Sequence, residues 1–461
     1  MSLSSGEFQK IKVLNKFRLF INNNFISLMF TFLGSSLLLS GFWVTNTAGT
    51  VNELKSPNLT QYIGLGVASW HSELDIYLSL KALDLSDNQS IGLSEPINYF
   101  ELQPKNRPLK FIYLSDEYAV SSKPYLSSSG LLADVSKLIV MLFNRIGMSE
   151  TDGLRLLYSI NLFINIVFIS LIVSFIKFKI KKKLVRFYTY LLVINPWLLL
   201  DSTSLMFSPW IRFCGVFAIL IFWKKSKEHV SGFQLSKYLT LGLVVSTLNG
   251  FEFFFFQVSI ILVFITLILQ HSKLSRIVLV WITATSLSIL VAFTLWLNTI
   301  FWNVRNLGRA IEILFFNVTK HSVVRSTFVP EGAVGSGDTS INQLAGLKSI
   351  LFQQSIILPY PIPSSLLNLF NEDNLQLIFF LTSPFLFLAI LILIHRSNFF
   401  LPMVITPIFL WCFFAVGTNS YVYYHPQHMP PTSLFLILAL IIFLTNRKEL
   451  HENSGRKYNA Q

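Results

Sequence analysis

The sequence predicts an all-α polytopic membrane protein with about 10 transmembrane helices and two large extracytoplasmic loops that bear short amphipathic helices. Composition comes first: of 461 residues, 52% are hydrophobic and 13% are charged, against about 25% charged residues in soluble domains. Second, Phe-, Leu- and Ile-rich runs recur from Phe25 to Phe443, and an apolar run of about 20 residues crosses hydrocarbon as a helix. Third, every second gap between the runs is rich in Lys and Arg, and basic residues gather in the loops that stay in the cytoplasm.

The charge distribution sets the orientation. The segments Met1–Leu19, Lys177–Phe187, Lys224–Lys237, Gln270–Arg276, His395–Asn398 and Arg447–Gln461 hold 21 of the 36 Lys and Arg but only 4 of the 23 Asp and Glu. They are assigned to the inside, which puts both termini in the cytoplasm of a multi-pass protein of the plasma (inner) membrane. The net charge of +13 is thereby used in fixing topology and meeting anionic head groups, which argues against a nucleic-acid groove. Cys214 and Cys412 both fall inside apolar runs, so neither a disulfide nor a cysteine metal cluster is expected. The first run is long and lacks a small-residue cleavage site, so it is read as a retained span.

Ten spans fit, near 25–44, 154–176, 188–201, 206–223, 238–251, 253–270, 277–299, 376–394, 399–417 and 432–446, in a single membrane domain covering 1–461. The third is interrupted by Asn195-Pro196, a break that survives in a membrane where the backbone faces protein or a water-filled cavity. Asn249-Gly250-Phe251-Glu252 makes a tight outer corner between the fifth and sixth. The large outer loops cover about 45–152 and 300–374. In the first, Asp87–Gln103 reads as exposed loop and Lys123-Pro124-Tyr125 as a turn. From Leu131 the apolar residues Leu131, Leu132, Val135, Leu138, Ile139, Leu142 and Phe143 recur at helical spacing, with Asp134, Lys137, Asn144 and Arg145 on or beside the other face. That pattern predicts an amphipathic helix lying flat on the membrane surface. Asn58, Asn88 and Asn317 begin outward-facing glycosylation sequons, short patterns that chance also produces.

Polar residues collect at the outer boundary. Asp116 and Glu117 are adjacent carboxylates, suited to a general base or a metal ligand, or to a plain solvated turn. Asp201 follows the interrupted third span. Arg212 sits inside the fourth in Pro209-Trp210-Ile211-Arg212-Phe213, and an intramembrane Arg marks either a functional site or a structural ion pair, here with Asp201 or Glu252. Glu252 is the one charge between Lys237 and Lys273. Arg305, Arg309, Lys320, His321 and Arg325 fall within about twenty residues; Arg305 and Arg309 are spaced one helical turn apart, so both can meet the same phosphate, or can meet lipid head groups. His425 and His428 flank Pro426-Gln427 among tyrosines, where they are candidates for holding a substrate or lipid phosphate; a third zinc ligand at suitable spacing is lacking. Gly332–Asp338 lacks the Lys-Ser/Thr ending of a nucleotide phosphate loop.

The layout resembles the C-type (GT-C) integral-membrane glycosyltransferases. The resemblance rests on the long acidic first loop, on Tyr125, Ser127, Gly130 and Leu131 before an amphipathic helix, and on the basic tract after the second span. It extends to the short third span with Asp201, the Trp210–Phe213 segment, the tight corner and the large loop after the seventh span, over roughly Phe25–Asn306. It implies a transferase that moves a hexosyl or pentosyl group from a polyprenyl-phosphate sugar donor to a glycan, lipid or protein acceptor, in cell-envelope polysaccharide assembly. Asp116 with Glu117 would serve as base or metal ligand, assisted by Asp201. A divalent cation (Mg or Mn) would sit on Asp116 and Asp201, and Arg305, Arg309 or Arg325 would hold the carrier phosphate. Asp75 competes with Asp116, because the family's acid usually lies close behind the first span. The alternatives are a lipid-linked oligosaccharide polymerase or ligase, which can rely on Arg and His, and a transporter or flippase.

Overall fold

The computed structural model describes residues 24–39, 93–96, 122–125, 131–205, 207–226, 231–269, 272–324, 374, 377–378, 381–394, 401–417 and 430–445. Helix α1 covers Asn24–Leu39. Two strands, β1 (Leu93–Pro96) and β2 (Ser122–Tyr125), then pair antiparallel, with Leu93 opposite Tyr125 and Ser94 opposite Pro124. This ladder departs from the all-α expectation. It also corrects the reading of Lys123-Pro124-Tyr125 as a turn and of the segment around Leu93 as loop. Both strands of a two-stranded ladder are edges, where a proline is tolerated.

The remaining described elements are helices. They run α2 (Leu131–Arg145), α3 (Glu150–Lys179), α4 (Lys183–Val193), α5 (Pro196–Asp201), α6 (Pro209–Arg212) and α7 (Cys214–Lys225). Then come α8 (Gly232–Asn249), α9 (Phe251–Ile268), α10 (Leu274–Val304), α11 (Leu307–Val324), α12 (Pro384–Ile394), α13 (Leu401–Gly417) and α14 (Pro430–Thr445). Among the described residues, two stretches are long and apolar enough to cross a bilayer: Thr151–Lys179 within α3, and α10. The 31 residues of α10 extend about 47 Å at 1.5 Å per residue. Asn24–Leu39, Gln257–Ile268, Val404–Phe413 and Ser433–Thr445 are apolar but shorter.

Helix α2 has the predicted bounds. It ends in a Schellman motif: the amides of Gly147 and Met148 donate to the carbonyls of Asn144 and Phe143, and Gly147 takes the left-handed conformation at φ 88°, which costs glycine little. Ser149 then caps α3, accepting from the Asp152 amide while donating to its carboxylate. Lys137, expected beside the water-facing side, is buried with Ala133, Ser136 and Val140, and its ammonium lies 3.3 Å from Asp134. Burial pulls its amine below the ordinary lysine value, against the opposing pull of Asp134. Val135, Leu138 and Leu142 stay exposed.

The bundle closes around α14, whose residues Leu434 to Leu444 are all nearly inaccessible. A helix apolar on every side belongs in an interior. Phe435 of α14 stacks on Phe213 and Phe168, with ring centroids 4.0 and 5.7 Å away. Close backbone approach holds α7 against α8, where a Cβ on Gly242 would lie 2.5 Å from the Cys214 carbonyl oxygen; one on Gly215 would lie 2.7 Å from the Ile261 side chain of α9. Small residues at Ala284, Ser288 and Ala292 form part of the buried stripe of α10, as close helix contacts require. Among the lysines of the expected inner tracts, Lys179 is buried, donating to the Leu267 carbonyl at 3.0 Å and so capping the end of α9.

Gly242→Ala should therefore lower the thermal midpoint of the purified protein by several degrees, since overpacking costs about 1–3 kcal/mol. Gly153→Ala, whose added Cβ has no neighbour nearer than 3.6 Å, should lie within about 1 kcal/mol of the native chain; equal effects would contradict the close approach. Lys137→Met should raise the midpoint at pH 7, because the folded state holds a charged amine against its preference. That gain should shrink as pH rises through the unfolded lysine value of about 10.4, measured by thermal unfolding across a pH series.

Candidate functional site

Two interrupted helices carry the site. The third expected span breaks where Asn195-Pro196 predicts: α4 ends at Val193, Ile194 leaves helical geometry, and Pro196 opens α5, a first-turn position that needs no proline N–H. Asp201 is the last residue of α5. The fourth expected span also breaks, which the sequence reading did not anticipate. Phe213, at φ −110° and ψ 33°, separates α6 from α7, and the Gly215 amide donates to Gln257 Oε1 at 3.0 Å. A side chain from α9 thus enters the helical hydrogen-bond ladder, a recognised cause of an interruption. Arg212 is the last residue of α6.

Between these breaks the chain makes a polar hairpin. Arg212 Nη1 lies 2.7 Å from Asp201 Oδ2, with the two side chains only 2% and 9% exposed. The guanidinium also lies over the Phe207 ring, 5.4 Å from its centroid. Of the two partners open to Arg212, Asp201 meets it. The turn carries its own bonds: the Ser204 amide donates to the Asp201 carbonyl, the Phe207 amide to Ser204 Oγ, and the Arg212 amide to the Ser208 carbonyl.

Helix α3 holds this hairpin through two asparagines that the sequence reading missed. Asn161 Nδ2 donates to the carbonyls of Ser202 and Ser204 at 3.2 and 2.9 Å, and its Oδ1 accepts from the Trp210 indole at 2.8 Å. Asn165 Nδ2 lies 2.7 Å from Ser208 Oγ, and its Oδ1 accepts from the Trp210 amide at 3.1 Å. Both asparagines are buried. Their signal was legible: two amides four residues apart inside an apolar run share one helical face. Ser246 of α8 adds a contact 3.0 Å from the Ile211 carbonyl.

The other expected residues fall elsewhere. Arg305 and Arg309 do not share a helical turn, because α10 ends at Val304 and Arg305 adopts the left-handed conformation at φ 57°. Asn306 caps the next helix by accepting from the Arg309 amide at 3.0 Å. Arg305 stacks on Trp302, and Arg309 pairs with Glu312 at 2.7 Å on an exposed face. Each guanidinium therefore has a neighbour at its own junction. Glu252 falls in the first turn of α9, its side chain outside the described part. Asp75, Asp116, Glu117, Arg325, His425 and His428 lie outside the described residues.

Of the two carboxylates expected to hold a divalent cation, Asp116 lies outside the described residues and Asp201 is paired with Arg212. A guanidinium already neutralises the carboxylate, and among the described residues no three His, Cys, Asp or Glu side chains gather. What the arrangement offers is a fixed positive group braced by a carboxylate, surrounded by hydroxyls and amides at Asn161, Asn165, Ser202, Thr203, Ser204, Ser208 and Ser246, all buried. Cys214 and Cys412 are both free thiols.

Removing one partner of a buried pair strands the other charge. Arg212→Met and Asp201→Asn should therefore each destabilise the chain by about 3–5 kcal/mol in denaturant unfolding, and the double substitution should cost less than the two singles combined. Comparison with protein-family models, with curated proteins and with solved structures found no match to this chain.

Proposed function

We propose that the chain is a multi-pass membrane glycosyltransferase, spanning the bilayer about ten times with both termini cytoplasmic. It would move a sugar from a polyprenyl-phosphate carrier to an acceptor on the extracytoplasmic face. The observation that carries this reading is the buried Asp201–Arg212 pair at the meeting of two interrupted helices. A charged pair on broken backbone within apolar helices is expensive and is kept where a polar ligand must be met. The segregated charge, the apolar exposed surface of α2 and the long, outwardly apolar α10 support a bilayer setting.

In this reading a first-loop carboxylate, Asp116 or Asp75, takes the proton of the acceptor hydroxyl. The hydroxyl oxygen bonds to the sugar's anomeric carbon as the bond from that carbon to the phosphate oxygen breaks, with inversion. The carrier phosphate leaves with the electron pair. Arg212, oriented by Asp201, stabilises that departing charge in a site shielded from water. Arg305 lies at the outer end of α10 and can meet the carrier's head group.

The two facing interruptions also favour a second reading, a carrier of lipid-linked sugars, since transporters bind substrate at discontinuous helices. Here, however, both breaks fall in neighbouring spans rather than at matching positions of two halves.

Full-length protein in phosphatidylcholine–phosphatidylglycerol vesicles, supplied with a panel of tritiated hexosyl and pentosyl polyprenyl phosphates, should hydrolyse or transfer at least one of them. Arg212→Gln should reduce that turnover by at least about a hundredfold, the scale of losing one preorganised charge-stabilising donor. Either Asp116→Asn or Asp75→Asn should abolish it. Turnover indifferent to all of these changes would end the carboxylate mechanism, and movement of intact donor across the vesicle without sugar release would favour the carrier.

A further inference from the structure

The hydrogen bonds of α3 divide into two kinds. Several side-chain bonds along it are local, such as Ser170 to the Ile166 carbonyl and Ser174 to the Ser170 carbonyl. Asn161 and Asn165 instead reach 37 to 49 residues along the chain. Their targets lie between the two charges: Ser202 follows Asp201 directly, and Trp210 precedes Arg212 by two residues. Every polar atom of the Asn161 amide is used, on three separate points of the hairpin. An amide can make that many directed bonds only if backbone and side chain are held together in one geometry.

We propose that Asn161 and Asn165 are positioning residues of the candidate site, a two-amide clamp through which α3 sets where Arg212 stands relative to Asp201. This rests on the transferase reading and deepens it by assigning the device that preorganises its charge-stabilising group. The clamp suits the task for two reasons. Helix α3 supplies one of the two stretches among the described residues that are long and apolar enough to cross a bilayer, so it is a rigid support. The hairpin itself has short elements, six residues in α5 and four in α6, too short to hold their own geometry. A loosely held guanidinium would still bind a phosphate but would stabilise the developing charge poorly, because a misplacement of about 1 Å can cost a hundredfold in rate.

The test separates the clamp from the function. In thermal unfolding of the full-length chain, Asn165→Ala, Arg212→Met and the double substitution form a cycle. The clamp requires non-additivity, with Arg212→Met shifting the midpoint less once Asn165 is gone; additive shifts would overturn it. In the vesicle assay with the tritiated donor panel, Asn161→Ala and Asn165→Ala should lower kcat at least about tenfold while leaving the donor KM within about twofold. Asn165→Ser, which keeps a hydrogen-bonding group, should recover part of the loss. Lys179→Met, an equally buried polar residue at the opposite end of α3, should lower the midpoint while preserving kcat. A kcat unchanged in both asparagine variants, or lowered equally by Lys179→Met, would overturn the positioning role. If the native chain turns over no donor, the transferase reading fails, and the unfolding cycle alone decides whether the clamp exists.

Discussion

Satisfying polar groups inside an apolar helical bundle is the constraint on which the rest of the structure depends. An unpaired amide or charge in such surroundings costs several kcal/mol, so each interruption of a helix must bring its own partners. At Asn195-Pro196 the proline removes one donor in advance. At Phe213 the partner comes from another helix, Gln257 to the Gly215 amide. At the hairpin between the breaks the charges meet each other, and Asn161 and Asn165 take up the loose backbone and the Trp210 indole.

Apolar packing answers to the same geometry. Gly215 and Gly242 let α7 and α8 approach until backbone touches backbone. That contact brings Ser246 within 3.0 Å of the Ile211 carbonyl, beside Arg212. Phe213, freed from a continuous helix, stacks on Phe435 of the enclosed α14. The break is therefore filled by an aromatic ring rather than left as a void, whose lining would lose its dispersion contacts. Fold and site share these residues, and a change that separates α7 from α8 reaches the charged pair through Ile211.

Much of this was legible in the chain. The amphipathic pattern gave α2 its bounds, Asn195-Pro196 marked the first break, and Asn249-Gly250 the corner between α8 and α9. Asp201 and Glu252 were recognised as the partners open to Arg212. The second break was not legible because no proline lies between Ile211 and Trp223 and its cause is a glutamine 42 residues away from Gly215. The pairing of β1 with β2 was missed for a similar reason: β-pairing depends on cross-strand neighbours more than on intrinsic backbone preference. Lys137 was misplaced because the apolar face of α2, with Val135, Leu138 and Leu142, stays exposed while the opposite side packs against protein, and an amphipathic pattern does not say which side meets protein.

The sequence alone determined where apolar runs lie, where their basic flanks fall and which few polar residues interrupt them, since hydrophobicity and charge are local properties of the residues. Tertiary structure decided which of those polar residues meet. An apolar run looks the same whichever neighbour it packs against, and only the assembled bundle turns Arg212 toward Asp201, sets two asparagines on the hairpin, and leaves Arg305 and Arg309 on opposite sides of a helix end.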